Sequence, residues 1–102
     1  MFYEIRRENG FPGKGDDLAR SMADQVIPVH EANGMTVLGS FRIPDEDAVV
    51  WIRRFTSVAE KVEILEAVHE SAEWQGIEEA VAGVVKNSET TRLEALPGSA
   101  LQ

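Results

Sequence analysis

Ala48-Val49-Val50-Trp51-Ile52-Arg53-Arg54-Phe55 is the stretch that decides the fold, and it runs at once into Thr56-Ser57-Val58-Ala59-Glu60. The first stretch is dense in β-branched and aromatic side chains and fits no helical stripe, so it predicts a strand. The second predicts a helix start, because Ser57 and Glu60 have the spacing at which cap and third residue satisfy each other's free backbone N–H groups. A central strand therefore turns directly into a helix, and the rest of the chain can be read outward from that junction.

Upstream, Pro44-Asp45-Glu46-Asp47 is a short loop, which makes Met35 to Ile43 a second strand paired with the first as an antiparallel hairpin. Downstream of Ser57, Val58, Val62, Leu65 and His69 fall on one line of a helix, with Ile64 and Val68 adjoining. Ser71 can cap a further short helix in which Trp74, Ile77, Val81 and Val84 keep the period. Glu89 to Leu96 reads as a last strand, and residues 97–102 as a tail, frayed or embracing a partner.

At the other end, Phe2 to Glu8 alternates around Tyr3 and Ile5 as a strand, closed by the breakers of Asn9 to Gly15. That loop is glycine-rich, but no Gly-Lys-Ser/Thr follows and it is not a phosphate loop. From Asp16 to about Ala32, Leu18, Met22, Val26 and Val29 recur at helical spacing, with Ala19, Ala23, Ile27 and His30 beside them. Pro28 lacks a backbone donor and is expected to kink this helix late. Asn33-Gly34 is a left-handed stop.

The order strand, helix, strand, strand, helix, strand predicts an α+β protein of ferredoxin-like βαββαβ topology, a four-stranded antiparallel sheet with its first and third strands central. One domain is expected over residues 1–96, followed by the tail 97–102. Helices can cover one face of such a sheet, yet both faces read as apolar. Val49, Trp51 and Phe55 alternate with Val50 and Ile52, and Met35, Val37 and Phe41 with Leu38. Leaving the second face in water would forfeit about 25 cal/mol per Å² of apolar area. A homodimer in which two sheets meet is therefore expected.

Composition narrows the function. The 102 residues carry 18 acidic against 10 basic side chains, a net charge of −8, with the basic ones scattered. That excludes nucleic acid and an anionic membrane surface as partners. No apolar run approaches the ~20 residues that span a bilayer, and charge inside Met1 to Arg6 rules out a secretory signal there. The chain has no cysteine, which removes disulfides and thiolate metal sites and fits a cytoplasmic location.

The chain resembles the NIPSNAP family within the dimeric α/β-barrel superfamily. The resemblance is carried by Phe2-Tyr3-Glu4-Ile5-Arg6, Pro12-Gly13-Lys14, Val26-Ile27-Pro28 and Met35 to Phe41 with its Val-Leu-Gly centre. Val50-Trp51-Ile52-Arg53-Arg54-Phe55, the following Ser57 and Ala59-Glu60, and Ser71-Ala72-Glu73-Trp74 complete it. It implies a ferredoxin-like subunit pairing into a dimeric barrel, with a pocket between sheet and helices. Relatives in that superfamily include cofactor-free monooxygenases of aromatic polyketides, small-ring isomerases and cyclases, and haem enzymes. The chain departs from the family at Glu8-Asn9-Gly10-Phe11, where Gly10 is expected to shorten the strand and reshape the pocket mouth.

Two histidines, His30 and His69, lie on or beside the apolar stripes of their helices. An imidazole there is suited to moving a proton near neutral pH, or else is a helix-end group bonded to backbone or to Glu31 or Glu70. Trp51, Arg53 and Phe55 share one strand face, with Tyr3 on the neighbouring strand, and two aromatic rings beside one guanidinium suit a flat anionic or phenolic ligand. The plain alternative makes the rings core and pairs Arg53 with an acid. We take His69 and Arg53 as candidate catalytic groups, and Tyr3, His30, Trp51, Phe55 and Trp74 as candidate ligand contacts. No metal is expected, since neither histidine sits in a ligand pattern. No cofactor is expected either, since no second polar motif supports haem on a lone histidine. The function these residues support is binding of a small hydrophobic or aromatic metabolite, with cofactor-independent oxygenase, cyclase or isomerase chemistry open. The alternative is a non-catalytic binding module.

Overall fold

The hairpin around Pro44 to Asp47 is the seed of the sheet. In the computed structural model, which describes residues 1–102, Thr36–Ile43 (β2) pairs antiparallel with Ala48–Phe55 (β3). Phe2–Gly10 (β1) lies between β3 and Val85–Leu93 (β4), giving the order β2-β3-β1-β4 with the first and third strands central. The helices are α1 over residues 15–32, α2 over Val58–Glu70 and α3 over Ala72–Ala82. The fold is ferredoxin-like α+β, as expected. No helix is long and apolar enough to cross a membrane.

Strand register decides which residues meet the helices. Phe2 lies opposite Phe55, Glu4 opposite Arg53, Arg6 opposite Trp51 and Glu8 opposite Val49, so these eight share a face. The core draws Phe2, Val49, Trp51 and Phe55 from that face and packs them against Leu18, Met22 and Val26 of α1, Ile64 and Val68 of α2, and Val81 of α3. The opposite face carries Tyr3, Ile5, Val50 and Ile52 and contributes nothing to this core.

Three local readings are corrected. Met35, Val37 and Phe41 do not share a face. A bulge between Val37 and Gly39 inserts Leu38, which reverses the alternation and sends Phe41 to the outer side opposite Val50, where it is 56% exposed. Gly10 does not shorten β1. It pairs with Val85, and its N–H donates to Asp47 O at 2.7 Å, where an added Cβ would stand 3.0 Å from that oxygen. The last strand begins at Val85 and ends at Leu93, because its polar start is held by side chains: Asn87 accepts from Asn9 at 2.8 Å.

Pro28 sits just beyond an irregular turn of α1. α1 is α-helical over Gly15–Ser21, π-wound over Met22–Val26 and α-helical again over Ile27–Ala32. The Ile27 N–H reaches back five residues to Met22 O, and the donor that Pro28 lacks falls just after this widened turn, so the helix continues to Ala32.

The molecule measures 41 × 33 × 18 Å with a radius of gyration of 13.9 Å, against about 13 Å for a compact chain of this length. It exposes 6112 Å² of surface, where a folded monomer of this mass would expose about 5,700 Å². One layer of helices on one sheet explains both numbers: the outer sheet face is bare apart from the C-terminal segment. There Leu96, Ser99 and Leu101 border a shallow hollow with Tyr3, Ile52 and Leu93, and the Tyr3 hydroxyl is buried without a hydrogen-bond partner.

Asp47 ties the hairpin to α1. Its two carboxylate oxygens each accept a backbone N–H at 3.0 Å, from Gly13 and from Gly15, the first residue of the helix, where a Cβ would stand 2.6 Å from Asp47 Oδ1. Asp47→Ala should lower stability by about 1–2 kcal/mol in urea titration, the cost of an N-terminal cap. An unchanged midpoint would show that the tie carries no stability.

Candidate functional site

The inward face of β1 is polar where an inward face is usually apolar, and this creates the site. Glu4 and Glu8 are 2% and 5% exposed, beneath the helices. Such carboxylates persist only when charged or hydrogen-bonding partners complete them. Arg53 donates from Nε and Nη2 to Glu4 Oε1 at 3.0 and 2.7 Å, and Lys61 of α2 donates to Glu4 Oε2. Glu8 accepts at Oε1 from Arg6 Nε at 2.7 Å and from Trp51 Nε1 at 3.3 Å, while the Ser88 hydroxyl donates to Oε2.

Above this polar floor stand the aromatic groups. The Arg53 guanidinium carbon lies 4.8 Å from the Trp51 ring centre. The His30 ring meets Trp51 edge-on at 5.3 Å and Trp74 at 5.8 Å. His30 Nδ1 is 2.6 Å from Val26 O. A carbonyl oxygen only accepts, so Nδ1 carries the proton and the Nε2 lone pair is left for the cavity. The backbone of Trp74 is anchored at the α2–α3 break, where its main-chain N–H donates to Ser71 Oγ at 3.2 Å. His69, exposed at the end of α2, stacks on Trp74 at 5.7 Å.

Arg6, Glu8, Arg53 and Ser88 of the floor and the aromatic groups border a partly open cavity of about 260 Å³ under the helices, its walls completed by Met22, Val26, Leu65, Val81 and Val85. A larger hollow of about 570 Å³ between α1 and α3 is an open groove with Asp24 and Glu73 at its rim, and it gathers no such convergent set. No group of three or more histidine, aspartate or glutamate side chains is arranged to hold a metal ion.

Five of the seven sequence candidates line the cavity: His30, Trp51, Arg53, His69 and Trp74. Phe55 does not. It is fully buried in the core, 5.5 Å from Phe2. Tyr3 lies on the other side of the sheet, opposite Arg54, because residues of β1 with odd numbers point outward. Sequence reasoning missed Glu4, Arg6, Glu8, Lys61 and Ser88. The available signal was charge complementarity between the even residues of β1 and Arg53 on its neighbour.

Burial lowers the His30 pKa below its usual value, with Arg53, Arg6 and His69 adding to the effect and the bond to Val26 opposing it. Its imidazole is therefore neutral at pH 7. Burial pushes the Glu4 carboxyl up, but the hydrogen bonds from Lys61 and Arg53 outweigh it, and the net pKa is lowered.

Neither a protein-family model nor a curated protein matches the sequence. Solved structures do. The chain is similar to a NIPSNAP family protein of unknown function from Agrobacterium tumefaciens, with a TM-score of 0.88 and 20% identity over 100% of this chain and 94% of that one. It is also similar to an uncharacterised NIPSNAP domain protein from Burkholderia xenovorans, with a TM-score of 0.84 and 14% identity over 97% and 98% of the two chains. An antibiotic biosynthesis monooxygenase follows at a TM-score of 0.66 and 12% identity, over 95% and 100%. The subunit fold is the one that the resemblance implied.

A histidine whose folded pKa is depressed contributes stability that is present in full above its unfolded pKa near 6.5 and is lost as the pH falls below that value towards the folded one. The urea midpoint should therefore decline as the pH is lowered from 6.5, and His30→Phe should flatten that decline. Parallel slopes in the two proteins would place the titrating group elsewhere.

Proposed function

From a chain with the fold of the NIPSNAP proteins, we propose a cytoplasmic homodimer that binds a small, flat, aromatic metabolite in the cavity beneath its helices and performs cofactor-independent proton chemistry on it. The observation that carries this reading is a neutral imidazole, His30, with its free Nε2 among two indole rings and beside an arginine. The rings supply contact area for a planar ligand, and a buried neutral imidazole accepts a proton from a phenol or an activated carbon. Arg53 then stabilises the anion that remains, through Nη1, the one guanidinium nitrogen without a partner in the chain. In this reading His30 replaces His69 as the base, and the exposed His69 stacked on Trp74 serves the cavity mouth. The cysteine-free composition supports the location in this reading.

Dimerisation is supported by the bare outer face. Phe41 and Leu93 are exposed there beside Val50, Ile52 and Ile5, and the Tyr3 hydroxyl lacks a partner that a second chain can supply. Two copies meeting through this face cover the excess surface noted above. The wild-type chain should sediment as a dimer at micromolar concentration and Ile52→Glu as a monomer. A folded wild-type monomer would remove the dimer from this proposal.

A non-catalytic binding module is favoured by one observation. Both oxygens of Glu8 and two of the three Arg53 nitrogens are already engaged, which leaves a thin catalytic set. Both readings share the cavity, and Trp51 and Trp74, the only two tryptophans, both border it. Titration with phenol should therefore quench the intrinsic fluorescence in a saturable way, and oxygen uptake or product formation then separates catalysis from binding. Fluorescence indifferent to every small aromatic compound would reject the site.

A further inference from the structure

The cavity's polar groups differ in what they still have to offer. Glu8 is saturated by Arg6, Trp51 and Ser88, and the single Ser88 hydroxyl proton is spent on it. A second nitrogen of Arg6 donates to Thr90 Oγ1 at 3.1 Å. Arg53 gives two nitrogens to Glu4. Arg6 Nη2 and the His69 ring are also unpaired, but the Arg6 side chain is 34% exposed and His69 is exposed, so both can turn to water. Among the buried groups, what remains is a donor at Arg53 Nη1 and an acceptor at His30 Nε2.

Charge sharpens this. Arg6 pairs with Glu8, while Arg53 and Lys61 share the single carboxylate of Glu4, so the cluster holds one uncompensated positive charge in a chain of net charge −8. At the buried end of the cavity, where Arg53 is 3% exposed, one anionic group on the ligand balances it, and two leave an anion without a partner. The acceptor at His30 asks in turn for a ligand O–H or N–H, since a buried acceptor left unmet costs affinity. The volume of about 260 Å³ falls below the roughly 300–1,000 Å³ of sites for drug-sized ligands, so it suits a single ring. Arg53 Cζ at 4.8 Å and His30 at 5.3 Å both lie against the same Trp51 ring and both border the cavity.

We propose that the cavity selects a single-ring aromatic acid bearing one carboxylate, held at Arg53, and one hydroxyl, held at His30. The proposal rests on the reading above that the cavity takes an aromatic molecule. It narrows the ligand from an aromatic compound to a hydroxylated aromatic monocarboxylate, with the hydroxyl as the proton donor to His30.

The test is a ligand series on the unaltered protein at neutral pH, read by tryptophan fluorescence: 3- and 4-hydroxybenzoate, salicylate, benzoate, phthalate, phenol and toluene. One of the first two should bind about tenfold more tightly than both benzoate and phenol, the loss expected for each unmet polar group. Salicylate should behave as benzoate does, because its hydroxyl is engaged by its own carboxylate. Phthalate, with two charges, should bind more weakly than benzoate. In His30→Phe the advantage of hydroxybenzoate over benzoate should vanish, and the series on wild type decides the matter if that variant does not fold. Phenol or toluene binding as tightly as the hydroxybenzoates would overturn this assignment while leaving an aromatic cavity. No response to any of the seven compounds would overturn the cavity reading and this assignment with it.

Discussion

Burying the carboxylate of Glu4 against the guanidinium of Arg53, on facing residues of the two central strands, is the constraint from which the rest of the covered face follows. Each ion forgoes several kcal/mol of hydration, and mutual attraction repays that only when every lone pair and proton is met. Arg53 meets one oxygen of Glu4 twice, and the other oxygen draws Lys61 in from α2. A helix is thereby registered on a sheet by charge as well as by grease. The same logic locks Glu8 between Arg6, Trp51 and Ser88. Floors built this way resist the close packing that apolar side chains would adopt, which is why space persists between β1, β3 and the helices above them.

Much of this was legible in the chain, for identifiable reasons. Ser57 caps α2 by accepting the Glu60 N–H, and Glu60 reaches back to the Thr56 N–H, one residue earlier than the capping-box pattern places it. Ser71 caps α3, as expected, by accepting the Trp74 backbone N–H. The apolar density of Ala48 to Phe55 identified a central strand, and its alternation placed Trp51 and Arg53 on one side. What failed was the reading of β1. Tyr3 and Ile5 looked like the inward set because they are the larger apolar residues, yet Glu4 and Glu8 point inward, since pairing with Arg53 and Trp51 across the strand outweighs hydropathy. Alternation reports two faces and leaves open which one is covered. The bulge at Leu38 was likewise invisible, because one inserted residue changes no composition and reverses all that follows it.

The two faces of the sheet have different histories of exposure to water. One holds ions that had to be dehydrated and matched, and the other holds Val50, Ile52 and Phe41 with little above them. The slab is 18 Å through, thin for its breadth. Part of the outer layer is met by the chain's own last residues around Tyr3, where Leu96 and Leu101 lie near Ile52. The half beyond, around Phe41, has nothing over it.

The widened turn at Met22–Val26 also has an evolutionary consequence. A turn that spans five residues where four would do holds one residue more than ordinary winding requires. Losing that residue would restore the common pitch and leave the residues after it on the bearings they already have. His30 would keep its place over the cavity. Homologues with a one-residue gap between Met22 and Val26 can therefore still present an imidazole here, so the length of that short segment is free to vary while the chemistry beyond it is kept.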